Sequence, residues 1–88
     1  MFTVTDGAIA HVAQMIEKAQ APKDVALRIV ARGGQDFGMR MDSAKTGDMT
    51  FDHEGNTVLV LNKEASDALE DRILEVKTTR KGAELVLT

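Results

Sequence analysis

Read for its alternation of apolar and polar positions, the chain resolves into short segments of two kinds. Phe2-Thr3-Val4 alternates like a short strand. The spacing then changes: Ile9, Val12, Ala13, Ile16 and Ala19 fall at i, i+3, i+4, i+7 and i+10, which is one apolar stripe of a helix. His11, Gln14 and Lys18 take the opposite face. Thr5 and Asp6 precede this run as N-cap residues, since a short side-chain oxygen can accept from a first-turn N–H. Ala21-Pro22-Lys23-Asp24 stops the helix, because Pro22 cannot continue it.

Beyond Pro22 the period is two. Val25, Leu27, Ile29 and Ala31 alternate with Ala26, Arg28, Val30 and Arg32, predicting a strand with one core face and one partly wet face. Gly33-Gly34 ends it in a bend. Phe37, Met39 and Met41 then share one face of a second strand, spaced as core residues, and a polar turn follows over Ser43 to Gly47. Met49 and Phe51 alternate with Thr50 and Asp52, and His53-Glu54-Gly55-Asn56 is a turn with Gly55-Asn56 supplying left-handed conformations. Thr57-Val58-Leu59-Val60-Leu61 is unbroken, as expected of a strand buried on both faces. Asn62 caps a short helix with apolar positions Ala65, Ala68, Leu69 and Ile73. Leu74, Val76 and Thr78 begin a last hairpin, turned by Thr79 to Gly82 and completed by Ala83, Leu85 and Leu87.

The resulting order, β-α-β-β-β-β-α-β-β, lacks the regular crossover helices of a doubly wound parallel sheet. It predicts an α+β fold with a mostly antiparallel sheet, in one domain spanning residues 1–88. At 88 residues such a chain buries only about 60–65 % of its unfolded surface.

Composition narrows the function. A net charge of −3, with Lys and Arg scattered, argues against nucleic acid as a partner. Three phenylalanines and no Trp or Tyr make a poor stacking platform for bases or sugars. Cysteine is absent, which removes disulfides, thiolate catalysis and thiolate-held metals together. The first residues show no basic segment followed by an apolar run, and the longest apolar runs are about five residues, far below the ~18 of a membrane span. A soluble cytoplasmic protein with no membrane partner is the expectation.

Candidate chemistry is sparse. Asp48, Asp52, His53 and Glu54 are candidates for a small hard-metal site at a hairpin tip, although the spacing fits neither an EF-hand nor a zinc motif. The bend Arg32-Gly33-Gly34-Gln35-Asp36 offers backbone N–H groups beside arginines for a small anion. Asp36-Phe37-Gly38 spells a kinase triplet, but nothing else of a kinase is present. Ser43 and Ser66 have no nearby His in sequence, and no nucleophile–base–orienter set assembles. The chain is expected not to be an enzyme and to hold no cofactor.

The order and wording of the segments resemble the HesB-like domain, the family of A-type iron–sulfur carriers and scaffolds. VTDGAIAHVAQMI matches its opening strand and helix, and VALRIVARGG its strand ending in Gly-Gly. FGMRMD, GDMTFDHEGNTVLVLNKEASDAL and RILEVKTTRKGAELVLT follow in the family's order. The resemblance implies cysteines directly after the Gly-Gly and in a Cys-Gly-Cys tail. Here Gln35-Asp36 follows Gly34, the loop is about three residues shorter, and the sequence reaches Thr88 where that tail would begin. No position therefore inherits a cluster ligand, and the bend from Arg32 to Asp36 is at most a relict pocket. What the resemblance implies is a non-catalytic domain linked to iron–sulfur assembly, with a second copy of itself or an iron–sulfur assembly protein as partner. The alternative is a metal- or small-anion-binding module using the Asp48–Glu54 tip or the Gly33-Gly34 bend.

Overall fold

In the computed structural model, which describes residues 1–22, 24–33 and 36–88, two sheets and two helices enclose one apolar core. The elements in order are β1 (Thr3–Val4), α1 (Asp6–Lys18), β2 (Val25–Ala31), β3 (Phe37–Ser43), β4 (Met49–His53), β5 (Asn56–Leu61), α2 (Lys63–Ala68), β6 (Ile73–Thr79) and β7 (Gly82–Leu87). This is the order and class read from the sequence. One sheet has strand order β1-β6-β7 and the other β3-β2-β5-β4. The pairs β2–β3, β4–β5 and β6–β7 are antiparallel, while β1–β6 and β2–β5 are parallel.

Local signals explain most element boundaries. Thr5 Oγ1 accepts from the Ala8 N–H at 3.2 Å, starting α1, and Asn62 Oδ1 accepts from the Ala65 N–H at 2.9 Å, starting α2. The buried stripe of α1 is centred on Ala8 and Val12, with Ile9, Ala13, Met15 and Ile16 at its margins. Ala19, placed on the stripe by periodicity, instead caps the helix and is exposed. His11, expected on the wet face, is half-buried. Ile73 belongs to β6 rather than to α2. The β4–β5 connection is a two-residue turn in which Glu54 (φ 51°) and Gly55 (φ 84°) are left-handed. Asn56 is already in strand, so the left-handed pair sits one residue earlier than the sequence suggested. Two successive positive φ values match the right-handed twist of a hairpin, which is why a glycine is placed there.

The core is built from Phe2, Val12, Leu27, Ile29, Leu59, Leu61, Leu69 and Leu74. Phe2 and Phe51 meet edge to face, ring centres 6.1 Å apart and planes at 87°, joining the two sheets. In the four-stranded sheet, Leu27 pairs with Met41 and Leu59, and Ile29 with Met39 and Leu61, so all of these share the core face. The covering layer reaches Phe37 at the start of edge strand β3 but not the middle of that strand. Met39 is 39 % exposed and Met41 40 %, against the core placement expected from their spacing.

The polar turn after β3 does not make a hairpin. β3 and β4 lie at opposite edges of the sheet, so residues 44–48 cross the ends of β2 and β5. Three strand spacings are about 14 Å, within reach of the six Cα–Cα steps from Ser43 to Met49, which span at most about 20 Å. Gly47 (φ 89°) and a bond from the Asp48 N–H to the Lys45 carbonyl at 3.0 Å turn this crossing sharply.

Candidate functional site

Burial singles out a residue that periodicity had placed on a partly wet face. Arg28, in the middle of β2, is only 3 % exposed and is the one buried charged residue among those described. It stands beside Val60 of β5 in register, and Ala26 and Val60 are buried on the same face. Its guanidinium lies beneath the 44–48 crossing, with four of its five N–H groups engaged. Nε donates to Asp42 Oδ2 at 3.0 Å, Nη1 to Asp48 Oδ1 at 3.3 Å, and Nη2 to both Asp48 Oδ2 and the Ser43 carbonyl, the last at 2.9 Å. Asp48 Oδ2 also accepts from the Lys45 N–H at 2.7 Å, and Asp42 Oδ1 from the Ser43 N–H at 2.8 Å. No buried side-chain nitrogen or oxygen among the described residues lacks a partner.

This bidentate pair shifts both partners toward their charged forms. The bond from Arg28 holds the Asp48 carboxyl below its ordinary range, over the opposing effect of burial, with the Lys45 N–H assisting. Asp42 is lowered first by the Ser43 N–H and then by Lys45 and Arg28. Arg28 itself is raised, chiefly by its bond to Asp48. The arrangement fastens a loop across a sheet. Every charged oxygen and nitrogen of the Arg28–Asp48 pair is held in that fastening.

The residues proposed from the sequence are thereby dispersed. Asp48 is committed to Arg28, at the opposite end of β4 from His53 and Glu54. Asp52 accepts from the Thr57 hydroxyl at 2.8 Å. His53 and Glu54 share one long contact of 3.9 Å at the turn. Among the described residues no three His, Asp or Glu side chains are grouped as metal ligands. In the β2–β3 bend, Gly34 and Gln35 lie outside the described residues. Around them, the Arg32 N–H donates to the Asp36 carbonyl at 3.0 Å and the Asp36 N–H to the Gly33 carbonyl at 3.2 Å. The Arg32 guanidinium lies against Gly38, so close that a Cβ there would displace it.

A second feature gives the sequence-derived turn residues new neighbours. His53, Glu54 and Thr57 face the last turns of α1 across a cleft of about 660 Å³ that also includes Gln14, Glu17 and Gln20. Sequence periodicity treated that helix face simply as solvated, and nothing local in either segment signals that the two approach. No helix among the described residues is long and apolar enough to cross a membrane.

Comparison with known proteins speaks to the fold. No family model matches the sequence, and no curated protein does. Among solved structures, Escherichia coli SufA, described as involved in the biosynthesis of iron–sulfur clusters, superposes with a TM-score of 0.68 and 21 % identity over 99 % of this chain and 83 % of that one. IscA with its [2Fe-2S] cluster gives 0.61 and 14 % over 100 % and 84 % of the two chains. A protein from Aquifex aeolicus, solved by NMR, gives 0.61 and 22 % over 99 % and 89 %. The chain thus has the fold shared by SufA, IscA and the Aquifex protein, as the HesB-like resemblance implied. The donor set does not fit a cluster of the IscA kind. Iron–sulfur clusters are held by soft anionic thiolates, and the 88 residues include none.

Proposed function

We propose that this chain is a HesB-like domain that has kept the fold of the iron–sulfur assembly proteins without their cluster chemistry, and that it acts through protein–protein contact rather than catalysis. The observation that carries the reading is the combination of a fold likeness over 99 % of the chain with a complete absence of cysteine. The partner is an iron–sulfur assembly protein or a second copy of the chain. Edge strand β3 favours this reading: among the described residues it pairs on one side only, and Met39 and Met41 stand exposed on it. Unpaired strand edges with apolar side chains are sites where another chain adds.

Anaerobic reconstitution with ferrous iron and sulfide tests the first half. The protein is expected to stay colourless after desalting, and a stable visible band with stoichiometric iron would overturn the reading. With no Trp or Tyr the protein itself hides little of the spectrum. For the second half, the tagged protein and its Met39→Glu/Met41→Glu variant are recovered from the native cell and also sized by light scattering. Iron–sulfur assembly proteins, or a dimer, are expected with the first and lost with the second. A monomer that enriches none of them contradicts the interaction role.

A further inference from the structure

The cleft at the end of α1 has the features of a ligand site, and its charge selects what it can hold. Its volume of about 660 Å³ falls within the ~300–1,000 Å³ usual for small-molecule pockets. Ala10, Ala13, Ile16, Val25 and Val58 supply its apolar floor. The rim is polar, with Gln14, Glu17 and Gln20 from the helix and His53 and Glu54 from the β4–β5 turn.

Two contributions make the described part of this rim negative, the carboxylates of Glu17 and Glu54 and the end of α1. Glu17 has no ion pair among the described residues, and Glu54 has only the 3.9 Å contact to His53. No Lys or Arg lines the cleft among the described residues. The last turn of α1, from which Ile16 and Glu17 project, adds the partial negative charge of a helix C-terminus, and its one cation, Lys18, does not line the cleft. A carboxylate or phosphate ligand meets repulsion here, whereas an ammonium group is attracted and its hydrocarbon part finds the apolar floor. We infer that the cleft between α1 and the β4–β5 turn binds a small organic cation, a primary alkylammonium with a short apolar chain. The polar head lies between Glu17 and Glu54, and the chain runs over Ala13 toward Val25. The site shares no residue with the β2–β3 bend or with exposed Met39 and Met41, so it stands or falls separately from the proposed function.

Titration of n-hexylammonium chloride into ¹⁵N-labelled protein, with sodium hexanoate at matched ionic strength as the anionic probe, decides the matter by amide shifts. Hexylammonium is expected to give saturable shifts confined to residues 14–20 and 53–58, with hexanoate giving none there. Glu17→Gln/Glu54→Gln, both at solvent-facing positions, is expected to weaken binding at least about tenfold, or roughly 1.4 kcal/mol, with an unchanged melting curve. Ala13→Leu, which fills the floor, is expected to abolish it. Equal shifts with hexanoate, shifts scattered over the surface, undiminished binding by the double variant, or no shifts up to about 10 mM, where a 1 mM site would be nearly full, would each overturn the assignment.

Discussion

Replacing Arg28 by Met removes the guanidinium beneath the 44–48 crossing while keeping a side chain of similar length. Four hydrogen bonds disappear, and Asp48, whose side chain is 5 % exposed, is left buried with only the Lys45 N–H as partner. Breaking one half of a buried ion pair costs about 3–5 kcal/mol, much of it the isolation of the remaining charge. A chain of 88 residues has roughly 4–13 kcal/mol of total stability, so the loss is a large part of the whole. At about 4–8 °C per kcal/mol for a domain this size, the midpoint should fall by roughly 12 °C or more. Thermal unfolding followed by far-UV circular dichroism measures the midpoint, because the chain has no tryptophan for fluorescence. Urea unfolding followed in the same way measures the free-energy loss without screening the pair. Arg28→Met/Asp48→Asn provides the internal control. Asn retains an oxygen for the Lys45 N–H but carries no charge, so the double variant should recover a good part of the deficit. A loss below about 1 kcal/mol for the single variant, the value of a solvated pair, would refute the reasoning. So would a double variant no more stable than the single one.

Acid should expose the same pair. Because the folded state depresses the Asp48 carboxyl, its contribution is complete above the ordinary carboxylate value of about 3.9 and disappears as the pH falls through the depressed one. Stability measured from pH 6 to pH 2 should therefore drop on the acid side, and Asp48→Asn should flatten that limb while lowering the plateau. Thr5→Ala, which removes the acceptor for the Ala8 N–H, should cost about 1 kcal/mol in the same denaturant assay. Glu54→Asn, which places an Asn-Gly pair in the two left-handed positions of the β4–β5 turn, should raise the midpoint, since that pair suits such turns best.

Strand and helix identities were legible because burial here follows period. Leu27, Ile29, Leu59 and Leu61 point where alternation puts them, and Thr5 and Asn62 announce the helices they cap. Arg28 was misassigned because alternation reports which residues share a face and not what covers that face. One signal was present: the unbroken run from Thr57 to Leu61 required cover on both sides of β5. Since β2 pairs with β5, Arg28 shares that second side. Met39 and Met41 erred in the other direction, being on the core face of an edge strand whose cover ends near Phe37. The cleft beside His53 was invisible for a different reason. It arises from α1 and the β4–β5 turn, segments more than thirty residues apart whose approach no local pattern records.

Residues 44–48 stitch the two outermost strands of the larger sheet to each other over a single buried cation. In most open sheets the rims fray independently, each at its own small free energy. Here peeling either rim slackens the stitch and strands the cation, so the loss is transmitted to the far side. Amide exchange from β3 and β4 should accordingly share one opening free energy in the intact protein and separate into two once Arg28 is gone. Such tethering guards the free edge of β3 against coming loose from the rest of the sheet.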